Sequence, residues 1–317
     1  MTYLNLLNKY TKLITLFFSL LLPIQGVADD HKTIGITQIV EHPSLNAIRE
    51  GIIEELKKEN FIEGKNLTII YENAQGNPTL AAQIAQKFAS LPLDAVIPIS
   101  TPSAQTIVHH IKKTPVIFAA ITDPLGAKIV SSLEHPEGNV TGVTDAPPLE
   151  EQLNFIQTCI PQLKNLGVIY NPGEANSVAM VDALKSLAKK KDINIISATA
   201  AKTSDIKAAA LSLVENVEAI FIGNDNTVIS GLEPLVQVCL ATKKPLFVSD
   251  PDSVNRGALA AYAYDQRQMG RQVGAMVARI LKGENPRNMP VEKANGLKFT
   301  RNPKTAEIIK VTCNMAH

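Results

Sequence analysis

The chain has 317 residues, a hydrophobic fraction of 45% and a formal charge of +1. A near-neutral chain without Lys/Arg clusters gives no support to nucleic-acid binding. Its length is too great for one simple core and suits two domains at ~150 residues each.

The N-terminus reads as a leader. Lys9 and Lys12 precede an apolar run from Leu13 to Ile24, and Gly26-Val27-Ala28 supplies the small residues of a signal-peptidase site. The run has 12 residues, whereas a membrane-spanning helix needs about 20. The expectation is a signal peptide over 1–28, cleavage after Ala28 and an exported, periplasmic chain with a formal charge of −1. No Cys stands at the end of the run to carry a lipid.

Short β-rich runs then alternate with amphipathic helices. Thr33–Val40 predicts the first strand, and Leu45, Ile48, Ile52 and Leu56 mark one face of a helix. Strands follow at Leu67–Tyr71, Ala95–Ser100, Pro115–Ile121 and Asn139–Thr144. Asn77-Pro78 and Thr101-Pro102 open the helices between them, with Pro at the first helical position. The second half repeats the rhythm at Leu166–Tyr170, Ile193–Ala198, Ala219–Gly223, Pro245–Val248 and Ala258–Tyr264. Strand starts in the halves are offset by roughly 125–130 residues. Continuous apolar strands alternating with helices predict parallel sheets covered on both faces. The fold class is therefore α/β, as two doubly wound parallel-sheet lobes with a hinge and an interlobe cleft. The predicted lobes are 29–145 plus 258–290, and 146–257 plus 291–317, with crossovers near 145–150, 255–260 and 288–294.

Ligands of open α/β sheets bind beyond the carboxyl ends of the strands. Those tips carry His42 and Ser44; Ser100, Thr101 and Ser103; Thr122 and Asp123; Glu174, Asn176 and Ser177; Asn224, Asp225 and Asn226; and Asp250. Hydroxyls, amides and carboxylates with few cations suit a small zwitterion. A helix N-terminus holds a carboxylate, and a buried Asp holds an ammonium. Each residue also has a plainer role: Thr101, Ser103, Asn176 and Ser177 as helix caps, Asp123 before Pro as a turn residue, Asp250 as a loop start and His42 as a structural histidine. Their joint placement on one rim favours binding. The ligand-binding set is His42, Ser100, Thr101, Ser103, Thr122, Asp123, Asn176, Ser177, Asp225, Asn226 and Asp250. Thr101 and Ser103 are expected at the ligand carboxylate, Asp123 or Asp250 at its ammonium, and Asn176 and Asn226 reach it from the second lobe.

No G-x-S-x-G, H-E-x-x-H or G-x-x-x-x-G-K-[ST] motif is present, and the dinucleotide fingerprint is missing after the first strand. His109 and His110 are adjacent on a helix and make a poor metal pair. No catalytic residue, metal or cofactor is expected. Cys159, Cys239 and Cys313 lack metal-ligand spacing and are expected as buried free thiols, with a Cys159–Cys239 bridge as the alternative.

The stretches ITQIVEHPSLNAIREGI, ENAQGNP, PVIFAAITDPLGA, GNVTGVTD, GVIYNPGEANS, DNTV, the run from Asp250 to Leu259 and MGRQVGAMVARILKG resemble the ABC transporter substrate-binding family that includes tryptophan- and tyrosine-binding proteins. The resemblance covers the mature chain. It departs at Asn46, where an acidic residue is more usual. It implies a type I periplasmic binding fold, a monomer, and a partner permease with its ATPase. It implies an amino acid ligand, aromatic or otherwise apolar, stacked on a ring such as Phe118, Tyr170 or Tyr264. A ligand-binding partner of a membrane sensor or chemoreceptor is the alternative to an importer. A transcription-factor effector domain fits less well, because a leader is present and a helix-turn-helix segment is not.

Overall fold

The computed structural model describes residues 31–313 apart from 137. The expected leader and its cleavage site lie outside the described residues.

Among the described residues, twelve strands form two six-stranded sheets. The first contains β1 (Lys32–Gln38), β2 (Leu67–Asn73), β3 (Ala95–Ile99), β4 (Val116–Ile121), β5 (Val140–Thr144) and β11 (Glu292–Lys293), in the order β11-β5-β4-β3-β1-β2. All its pairings are parallel. The second contains β6 (Asn165–Tyr170), β7 (Asn194–Thr199), β8 (Ala219–Ile222), β9 (Leu246–Val248), β10 (Ala260–Tyr264) and β12 (Leu297–Arg301), in the order β12-β10-β9-β8-β6-β7. Only β12 runs antiparallel, against β10. The central strands β3 and β4, and β8 and β9 in the second sheet, are buried along their length. This is why they read as unbroken apolar runs.

Each sheet carries its own core. Phe88, Phe118 and Ile97 sit in the first; two clusters, one around Ile220 and one around Phe221, belong to the second. Helices α1 (Pro43–Lys58) and α10 (Gln266–Leu281) pack at a glycine contact. A Cβ on Gly51 would lie 2.2 Å from Arg267 O, and one on Gly270 would lie 2.2 Å from Ile48 O. Any side chain there would force the helices apart.

Two expectations about the lobes change. The strand Ala260–Tyr264 pairs with β9 in the second sheet, although 258–290 was assigned to the first lobe. The short strand Glu292–Lys293 pairs with β5 in the first sheet, although 291–317 was assigned to the second. The chain therefore passes between sheets near 145–148, at 265 and at 294–296, so the second crossover falls later than expected. An apolar strand carries no mark of the sheet it joins, so its partner is invisible in sequence.

The cysteines also differ from expectation. Cys159 is bridged to Cys313 with Cα atoms 4.5 Å apart, and Cys239 is the free, buried thiol. The bridge ties α4 (Leu149–Cys159) to the segment following α11 (Pro303–Ile309), across a sequence separation of 154. Closing so long a loop removes denatured-state entropy, so the Cys159→Ser, Cys313→Ser double variant should lose about 2–5 kcal/mol of unfolding free energy in a urea titration. Equal stability of variant and wild type would contradict the bridge.

Candidate ligand-binding site

The carboxyl ends of the two sheets meet around one small cavity. From the first lobe come His42, Ser44, Leu45, Ser100, Thr101, Ala120 and Thr122. Asn176, Gly223, Asn224, Asp225, Asn226, Ile229 and Asp250 come from the second, and Asp145 and Gln266 sit beside the crossovers. No Lys or Arg lines it among the described residues.

Backbone strain marks the first rim. Ser100 follows β3 with φ 80° and ψ 156°, a region that essentially only glycine occupies freely. It precedes α3 (Thr101–His110) but makes no side-chain cap bond. Ala120 has φ 56°, at a register shift between Ala119 and Ile121. Such strain costs ~1–3 kcal/mol each and clusters at functional sites. Both residues line the cavity.

Several polar atoms at this site have no partner. Ser100 Oγ, Thr101 Oγ1, Asn176 Oδ1 and Asp250 Oδ2 are buried and form no hydrogen bond among the described residues. Ser103 Oγ and Ser253 Oγ share that condition but their residues do not line the cavity. Burying such a group unpaired costs ~1–3 kcal/mol, so four around one space form a site built for a polar occupant.

The lobes also touch directly. Ser44 Oγ donates to Asp250 Oδ1 at 2.6 Å, which also takes the Ser253 N–H at 2.8 Å. Asn224 Nδ2 donates to Asp145 Oδ2 at 2.9 Å, beside Thr122 Oγ1, which lies 3.4 Å from Asp145 Oδ1. On the second rim, Glu174 accepts from Asn226 N and Nδ2 at 3.1 and 2.6 Å and from Thr227 N and Oγ1 at 2.9 and 2.7 Å. It thereby fixes the start of α7 (Asn226–Ser230).

The predicted residues divide accordingly. His42, Ser100, Thr101, Thr122, Asn176, Asp225, Asn226 and Asp250 converge on the cavity. Asp123 does not, because its Oδ1 accepts the Gly126 N–H at 2.8 Å and holds a turn. Ser103 and Ser177 are buried but do not line the cavity. Asp225 is engaged twice, by Asn171 N at 2.6 Å and Val228 N at 2.8 Å. None of Phe118, Tyr170 and Tyr264 lines the cavity, so the expected stacking ring is missing there. The candidate set omitted Ser44, Asp145, Asn224 and Gln266. Ser44 and Asn224 stood at recognised strand tips; Asp145 follows β5, whose end lies at the first crossover.

Burial controls the titrating groups. It pulls the His42 imidazole down to about 4, against the raising effects of Asp250 and Asn226, so His42 is neutral near pH 7. Burial pushes Asp225 up to about 7, reinforced by Glu174. It also pushes Asp145 up to about 7, against a backbone N–H and the Thr122 hydroxyl.

The family model for ABC transporter substrate binding proteins matches residues 33–316, and the chain belongs to that family. Its two-lobed architecture is that of type I periplasmic binding proteins. It is 34% identical over 278 residues to a tyrosine-binding protein of Clostridioides difficile (strain R20291), covering 88% of this chain and 81% of that one. It is similar to a Streptococcus pneumonia ABC domain solved in complex with L-Trp, with 33% identity, a TM-score of 0.86 and coverage of 90% and 96%. A ligand-free, open substrate binding protein from Clostridium difficile is equally identical at 33%, with coverage of 88% and 95%, but its TM-score is 0.68. The lobes here, bonded to each other across the cleft, match the ligand complex more closely than the open form.

The raised Asp145 gives a pH signature. Its folded pKa of about 7 lies above the ordinary 3.8, so folding favours the protonated form. That stabilising contribution is full below about pH 4 and is lost as the pH rises through about 7. Asp145→Asn removes it, so the stability of the variant relative to wild type should rise from pH 4 to pH 7 and level off above about pH 8. Urea titrations across that range check this, and a pH-independent difference would contradict it.

Proposed function

We propose that this protein is the periplasmic solute-binding component of an ABC importer, not an enzyme. It captures an amino acid, aromatic or otherwise apolar, between its lobes and delivers it as a monomer to a membrane permease driven by its ATPase. An N-terminal leader cleaved after Ala28 exports it, and the Cys159–Cys313 bridge suits that oxidising compartment.

One observation carries the reading: four unpaired buried polar atoms surround a cavity without a cation. Ser100 Oγ and Thr101 Oγ1 stand at the start of α3, whose free N–H groups carry roughly half a positive charge. A ligand carboxylate is held there without an arginine. Asp250 Oδ2 receives the ammonium, while its other oxygen stays with Ser44 and Ser253. Asp250 lines the cavity and Asp123 does not, which supports Asp250 as the proposed ammonium site. Leu45, Ala120 and Ile229 supply apolar surface for the side chain. The tyrosine-binding relative and the L-Trp complex support ligands of this class.

The test is calorimetry on refolded protein with L-tyrosine and L-tryptophan. Asp250→Asn should weaken binding by about 2–5 kcal/mol, the cost of leaving a buried ammonium unpaired. Folded Asp250→Asn protein that binds like wild type would contradict the assignment.

A further inference from the structure

Asn224 stands just past the end of β8 and spends its amide on the opposite lobe. Its Nδ2 donates to Asp145 Oδ2 at 2.9 Å, with Asp145 O and Thr122 Oγ1 each at 3.4 Å. Asp145 is 7% exposed, and no Lys or Arg lines the cavity around it among the described residues. A buried carboxyl without a cation depends on hydrogen-bond donors. Its own lobe supplies the Thr122 hydroxyl, 3.4 Å from Oδ1. The nearer side-chain donor is Asn224, from across the cleft.

The tip that presents this amide is fixed on both sides. A Cβ on Gly223 would lie 2.2 Å from Met180 Cε, so the backbone before Asn224 packs directly against α5 (Ala175–Lys189). After it, Asp225 N donates to Gly223 O at 2.8 Å and closes a tight turn. The Asp225 carboxylate accepts the N–H groups of Asn171 and Val228, tying that turn to the tip of β6 and to α7. Asn224 thus reaches the seam from a rigid mount. Its carbonyl meanwhile accepts from Asn176 Nδ2 at 2.5 Å, and Asn176 lines the cavity. One residue joins the first lobe to a wall of the binding site.

We infer that Asn224 is a positioning residue that latches the closed cleft: its amide holds Asp145 across the seam while its carbonyl holds Asn176 at the cavity wall. This rests on reading the cavity as an amino acid site that closes over its ligand. Opening the hinge breaks the bond to Asp145 and leaves the bond to Asn176 in place, because the second lies within one lobe. Affinity therefore depends on Asn224 through closure.

Calorimetry on refolded protein with L-tyrosine and L-tryptophan tests it, each variant first checked for folding by urea titration. Asn224→Ala should bind at least about tenfold more weakly, since closure then buries the Asp145 carboxyl without its nearest side-chain donor. Asn224→Asp should also weaken binding, and its deficit should widen from about pH 6 to about pH 9. Two facing carboxyls must hold a proton between them when the cleft is closed, so closure takes up a proton that becomes scarcer as the pH rises. The double variant Asn224→Asp, Asp145→Asn exchanges amide and carboxylate and keeps the bond with its sense reversed. It should return binding at about pH 8 to within about threefold of wild type, a coupling that a merely structural asparagine would not show. Folded Asn224→Ala and Asn224→Asp proteins that bind within about threefold of wild type, or a double variant no better than Asn224→Asp alone, overturn the latch and leave the amino acid reading intact. Failure of both ligands to bind wild type overturns both.

Discussion

Buried polar atoms must be paired, and around this cavity four are left without a partner among the described residues. Ser100 Oγ, Thr101 Oγ1, Asn176 Oδ1 and Asp250 Oδ2 each sit where water is excluded. A fold that tolerates this needs a reason, since each such group costs ~1–3 kcal/mol. The strained backbone at Ser100 and Ala120 adds to the load. The two parallel sheets account for the convergence. Each sends the ends of its strands toward the same space, so residues far apart in sequence meet there. Ser44 and Asp250, separated by 206 positions, share a hydrogen bond.

The second rim is organised by one carboxylate. Glu174 occupies the N–H groups that open α7 and also faces the Asn176 amide. That helix start is thus satisfied from within the protein, whereas the start of α3 is not. The asymmetry agrees with the proposed roles of the lobes, in which the first offers donors to an anion and the second offers acceptors. Asp225, packed beside Glu174, is pushed toward its protonated form by burial and by that neighbouring charge. The rim therefore holds fewer negative charges than its composition implies.

Much of this was legible in the sequence because parallel strands buried on both faces are written as apolar runs. Ala95–Ile99 and Val116–Ile121 are such runs, and the polar residues following each strand mark its tip. Eight of the eleven candidate residues line the cavity. Position along the chain does not give side-chain direction, which is why Asp123, one residue beyond Thr122, turned out to brace a turn. Asp145 escaped notice because it lies at a crossover, where a carboxylate reads as ordinary loop. The pairing of Cys159 with Cys313 depends on where the last helix folds back, which no spacing reveals. The sheet membership of Ala260–Tyr264 was hidden for the same reason: it follows from topology, not composition.

Closure follows from the division of the site. Neither lobe alone completes it, and the direct side-chain bonds between them at the site are few: Ser44 to Asp250, and Asn224 to Asp145 and Thr122. A ligand bridging donors on one lobe and acceptors on the other should hold the lobes together, through a hinge at the three crossovers. Small-angle scattering on refolded protein, with and without saturating L-tyrosine or L-tryptophan, measures this directly. The account predicts a smaller radius of gyration in the bound protein, with a profile matching the closed form described above. An unchanged radius in a sample that calorimetry shows to be saturated would contradict it.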